Sequence, residues 1–87
     1  MKIYQDNYYK AKYKSGSGES GDRTKSLEAM REAIDKTNEH YKANGYKQEQ
    51  FVIVNVQWGR IFDDDGIFIS EHSNETRIEI YPATLAD

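Results

Sequence analysis

An α+β domain, with one helix packed on one face of an antiparallel or mixed sheet, is the fold class this sequence predicts from three observations. Residues Gln50 to Phe62, QFVIVNVQWGRIF, are dominated by β-branched and aromatic residues that alternate with period two. Leu27, Met30, Ile34, Thr37 and Tyr41 recur at spacings of three and four, with Ala33 beside them, the apolar stripe of one amphipathic helix. Shorter alternating runs stand before the helix and after the long strand. The predicted order is strand, helix, then a three-strand meander.

The first strand is firmest from Asn7 to Lys14, with Tyr9, Ala11 and Tyr13 inward. Its outward face carries Tyr4, Tyr8, Lys10, Lys12 and Lys14, and a lysine-bearing strand is what an exposed sheet edge looks like. Residues 15–22, SGSGESGD, read as a flexible loop that leaves the strand order open. The helix is capped by Thr24 or Ser26 and stops at Asn44-Gly45. Its outer face carries mixed charge, including the four-apart pairs Arg31 with Asp35 and Glu32 with Lys36.

In the long strand Val52, Val54, Val56 and Trp58 share one parity and are expected to face the core. Phe51 and Ile53 make its first half apolar on both faces, as in a central strand covered at one end. Asp63-Asp64-Asp65-Gly66 makes a turn into a third strand, Ile67 to Ser70. His72 to Glu75 makes another turn into a fourth, in which Thr76, Ile78 and Ile80 alternate with Arg77, Glu79 and Tyr81 before Pro82.

Eighty-seven residues make one small domain, 1–87, and a chain of this length buries only about 60–65% of its unfolded surface. A large internal active-site cavity is therefore not expected. Mean hydropathy is −0.94, but the apolar residues cluster into periodic segments, which places the chain outside the disordered class. The absence of cysteine excludes a disulfide framework and thiolate metal sites. With no apolar run of about 20 residues and no apolar leader, a cytoplasmic protein without membrane association is expected. The net charge of −3 hides a gradient. Residues 1–14 balance at +3 (Lys2, Lys10, Lys12 and Lys14 against Asp6), and residues 61–87 at −6 (seven acids against Arg77).

Catalytic and cofactor motifs fail on spacing. Gly16 and Gly21 match the glycines of GxxxxGK[ST], but Asp22 and Arg23 stand where lysine and a hydroxyl residue are needed. The three aspartates lack the alternate spacing and distant glutamate of a calcium loop. His40 and His72 have no second ligand type at a usable distance along the chain. No enzyme chemistry, metal or cofactor is expected.

Binding is better supported. The residues singled out are Tyr4, Tyr8, Lys10, Lys12 and Lys14 on the first strand, and Asp63, Asp64, Asp65, Glu71, Glu75 and Glu79 in the acidic half. Seven tyrosines exceed what a thin core hides, and exposed tyrosine is enriched at protein interfaces. Tyrosines interleaved with lysines also suit single-stranded nucleic acid, against which the overall negative charge weighs. A homodimer through the edge of the first strand is a third reading.

A lysine-led, tyrosine-rich strand, a loop, one helix opening with TKSLEAM, and a meander VIVNVQWGRIF followed by GIFIS resemble small phage-encoded inhibitors. Several anti-CRISPR proteins and the small phage inhibitor of bacterial RNA polymerase belong to that group. The resemblance is one of element order, covers most of the chain and carries over no functional residue. It implies a non-enzymatic inhibitor of bacterial defence or host machinery, working in the host cytoplasm by occupying a surface on a larger protein or ribonucleoprotein. Cystatin-like inhibitors share a similar element order, but their QxVxG hairpin has no counterpart at Gln57-Trp58-Gly59.

Overall fold

The computed structural model describes residues 1–16 and 18–85; Ser17 of the expected loop and the last two residues of the tail lie outside them. The elements are β1 (Lys2–Tyr13), β2 (Glu19–Thr24), α1 (Leu27–Ala43), β3 (Phe51–Phe62) and β4 (Phe68–Tyr81). They form a four-stranded sheet in the order β2-β1-β3-β4, antiparallel at every pairing, with the helix on one face. The α+β class is the one the periodicities predict. The strands are divided two before the helix and two after it.

Two local readings yield to strand pairing. The loop contains β2, although ESGDRT has poor strand propensity, because Thr24, Arg23 and Glu19 stand opposite Tyr9, Lys10 and Lys12. The turn into β2 is closed by the Tyr13 N–H donating to the Gly18 carbonyl at 3.1 Å, with Gly18 at φ 132°. Beside these residues β1 is an interior strand and not the exposed edge its lysines suggested. At the other side His72 to Glu75 do not turn. Ser73 and Asn74 pair with Trp58 and Gln57, so β4 runs unbroken for 14 residues.

The helix has the predicted ends. The Ser26 hydroxyl accepts the Ala29 N–H at 3.0 Å, and Gly45 takes φ 76° after the Asn44 cap. Met30 and Ile34 pack with Ala11, Phe51 and Ile53 to form the core, flanked by Tyr9, Tyr13, Leu27 and Tyr81. Asn38, a polar residue on the same helix face as the apolar stripe, is also buried: its side chain donates to the Glu49 carbonyl at 3.0 Å and accepts the Glu49 N–H at 2.8 Å. This pins the α1–β3 connection to the helix. Arg31 does not pair along the helix with Asp35. It donates through Nε to Glu79 of β4 at 3.1 Å, and the Tyr81 hydroxyl donates to Asp35 at 2.9 Å, so both charges brace helix against sheet.

The faces of β3 are the reverse of the expectation. Ala11 stands opposite Ile53 and Tyr13 opposite Phe51, so Phe51 and Ile53 face the helix with the inward tyrosines of β1. Val52, Val54, Val56 and Trp58 fall on the open face with Tyr4, Tyr8, Lys10 and Lys12. The first half of β3 is nonetheless apolar on both sides, as a central strand requires.

The helix covers only part of the sheet's length. Seventeen helical residues span about 26 Å, whereas the 12-residue β1 and β3 span about 40 Å. The start of β1, the end of β3 and the start of β4 therefore project as a three-stranded ribbon. The chain measures 56 × 23 × 21 Å, and its radius of gyration is 16.5 Å against about 12 Å for a compact domain of this length.

Candidate binding surface

On the open face, Tyr4, Tyr8, Lys10 and Lys12 lie on one side of β1, as the alternation predicts. The lysines, however, are already engaged. Lys10 Nζ lies 3.0 Å from Glu19 of β2 and 2.7 Å from Glu75 of β4, and Lys12 Nζ lies 2.7 Å from Glu75. Because β3 separates β1 from β4, the two pairs with Glu75 cross above it, and Val54 and Val56 are buried beneath them without help from the helix. The Lys10 side chain is left 13% exposed. The basic first strand and the acidic second half thus meet within the molecule and neutralise each other there.

The Lys10 ammonium, followed by that of Lys12, holds the Glu75 carboxyl down at about 2, while Glu75 raises the pKa of Lys10. A depressed carboxyl pKa stabilises the fold above the unfolded value of 4.5, and the contribution is lost as pH falls through about 2. The Glu75 side chain is 38% exposed, so solvent screening reduces its worth to about 1 kcal/mol. Glu75→Gln is expected to lower Tm at pH 7, with the gap from the parent closing as pH approaches 2. Equal Tm values at pH 7 would show that the strap contributes nothing.

The remaining candidate residues are dispersed. Glu71 accepts from Trp58 Nε1 at 2.8 Å and pairs with Arg60 at 3.3 Å, and both hold its carboxyl below the usual range, the Trp58 bond most. Arg60 in turn lies over the Trp58 ring. Glu79 is on the helix side with Arg31. Lys14 is in the turn after β1, 3.4 Å from the Gln50 side chain. In the β3–β4 turn the Asp63 carboxylate accepts the N–H groups of Asp65 and Ile67 at 2.9 Å each, a local turn bond, and Asp64 meets the Met1 amino group. The acids from Asp63 to Glu79 therefore form no single surface: Asp64 and Asp65 mark the end of the ribbon, and Glu79 lies on the opposite face from Glu71 and Glu75.

What sequence reasoning missed is the apolar end of that ribbon. Met1, Ile3, Tyr4, Ile67, Phe68 and Ile69 are six of the eight exposed large apolar residues among those described, each more than half exposed. Tyr4, Phe62 and Phe68 meet edge to face, with ring centroids 5.5 and 5.9 Å apart. The signal was present in GIFIS, an apolar run placed directly after a turn with nothing beyond it to cover both of its sides.

A shallow groove of about 530 Å³ lies beside the start of the helix, lined by Gln5, Asn7, Lys25, Gln57, His72 and Asn74 among others. The His72 ring leans over Gly59, where a Cβ would come within 2.7 Å of it. His40 sits at the helix end, its Nδ1 3.3 Å from the Asn44 amide. Among the described residues no group of three or more His, Cys, Asp or Glu is placed to hold a metal ion, and no helix is long and apolar enough to cross a membrane. The arrangement is suited to surface recognition by aromatic and aliphatic side chains. Compared with protein-family models, curated proteins and solved structures, the chain finds no match.

Proposed function

We propose that this chain is a non-enzymatic binding protein that occupies a surface on a larger nucleic-acid-processing protein or ribonucleoprotein and inhibits it, in the manner of small phage-encoded inhibitors. The observation that carries the reading is the concentration of exposed apolar residues at one end of a projecting ribbon. A soluble chain rarely leaves so many large apolar side chains together in water unless they are used for contact. Asp64 and Asp65 beside them suit an apolar recess rimmed by lysine and arginine, the charge such machines present along their nucleic-acid paths. Direct binding of single strands draws less support, because Lys10 and Lys12 are committed to Glu19 and Glu75 and offer little free positive charge to phosphates.

The test is a plasmid-survival assay in cells carrying a CRISPR effector. The chain is expected to restore survival of the targeted plasmid, and Phe68→Asp combined with Ile69→Asp to abolish the effect while the protein still unfolds cooperatively, well above the assay temperature. For a partner captured through a photo-crosslinker at Phe68, the same variant should weaken affinity at least about 30-fold, as loss of an interface hot spot does. A wild-type chain that leaves survival at the effector-alone level overturns the anti-CRISPR form of the reading. Crosslinks from Lys36 on the helix, but none from Phe68, overturn the role of the ribbon end.

A further inference from the structure

We infer that β4 is a self-complementary edge through which two copies of the chain join their sheets. The outer side of β4 carries no strand among the described residues. From Ser70 to Arg77 it is regular, in unbroken register with β3 from Ile61 to Val54, and register shifts near Ile69 and Ile78 close that stretch at both ends. A two-fold axis perpendicular to the sheet keeps each face on its own side. Residues that face each other across the junction must then come from the same face.

Charge and the length of the regular stretch together select one register. On the open face β4 presents Glu71, Ser73, Glu75 and Arg77. An axis at Asn74 sets Glu71 of each copy against Arg77 of the other, twice, with Asn74 facing its own equivalent. An axis at Ser73 sets Glu71 against Glu75 twice, and one at Glu75 sets that carboxylate against itself, both repulsive. An axis at Thr76 sets Glu75 against Arg77 but joins only residues 75–77 of the regular stretch, and one at His72 joins residues 70–74 and brings no opposite charges together. Glu71 is already held in place by Trp58 and Arg60, while Arg77 is exposed and takes part in no ion pair among the described residues. Such charges deter casual edge pairing, and here they favour one self-pairing over the full regular stretch. The product is a continuous eight-stranded sheet with both helices on one face and the two apolar ribbon ends pointing in opposite directions. It depends on β4 alone and is independent of the inhibitor reading.

The experiment is sedimentation velocity on the full chain up to millimolar concentration. The wild type is expected to shift from 10.1 kDa toward twice that mass. Arg77→Glu and Glu71→Arg should each weaken association about 10-fold or more, and their equimolar mixture should restore a dimer, since both cross-junction pairs again join opposite charges. The chain has no cysteine, so Asn74→Cys should form a disulfide-linked dimer under mild oxidation, while Ser73→Cys, which faces Glu75, should not. A wild type that stays at 10.1 kDa overturns the inference. So does a dimer that Arg77→Glu leaves unchanged, or crosslinking equally strong at both cysteine positions.

Discussion

Phe51→Ala is expected to destabilise the protein by about 3–5 kcal/mol, the largest effect of any single truncation, measured by urea or thermal unfolding. Phe51 is fully buried, its ring centroid lies 4.8 Å from that of Tyr13 in a tilted arrangement, and it belongs to the cluster in which sheet and helix meet. Replacing it removes the apolar transfer energy of the ring and leaves a cavity that cannot collapse, because Ala11 beside it is already the smallest side chain in the cluster. A domain of this length has roughly 4–13 kcal/mol of stability, so the loss takes a large fraction of the whole. Tm should fall by at least about 12 °C. Phe68→Ala makes the same chemical change at a residue 53% exposed and should cost under about 1 kcal/mol. Similar losses at the two sites would mean that the ribbon end is packed in solution.

Asn38→Ala should cost about 2–3 kcal/mol, more than its size suggests, because Asn38 satisfies both backbone groups of Glu49. Removing the side chain leaves the Glu49 N–H without its acceptor near the core. The expected signature is local: hydrogen exchange at Glu49 and through the α1–β3 connection should accelerate while the helix interior retains its protection. Unchanged protection at Glu49 would show that the side chain does not anchor this connection. The two variants together separate the core, which apolar packing holds, from the connection, which a single polar residue holds.

The candidate surface has two parts of different character. The lysine–glutamate strap over Val54 and Val56 is internal cover for an otherwise bare sheet face, whereas the ribbon end has no cover. Both contain residues singled out from the sequence. Tyr4 lies in the apolar cluster with Phe62 and Phe68, and Tyr8 lies under the Arg23 guanidinium. Patterned tyrosine and lysine thus identified which residues share the open face of β1 but misjudged how much of its charge is free.

Local pattern alone determined the class of fold, the ends of the helix and the inward set Tyr9, Ala11 and Tyr13 of β1. Each follows from periodicity or capping within a few residues. Tertiary pairing decided the rest. Glu19 to Thr24 become a strand because β1 offers an unfilled ladder, and His72 to Glu75 stay extended because β3 supplies partners. The register shift at Ile78 puts Thr76 and Ile80 on opposite faces, although their spacing in the sequence reads as one face. Which side of β3 meets the helix depends on the register of β1 against β3, and whether Lys10 is free depends on which strand lies two places away. These are properties of the strand order, which joins residues more than 60 positions apart, such as Lys12 and Glu75, and leaves no mark in any local window.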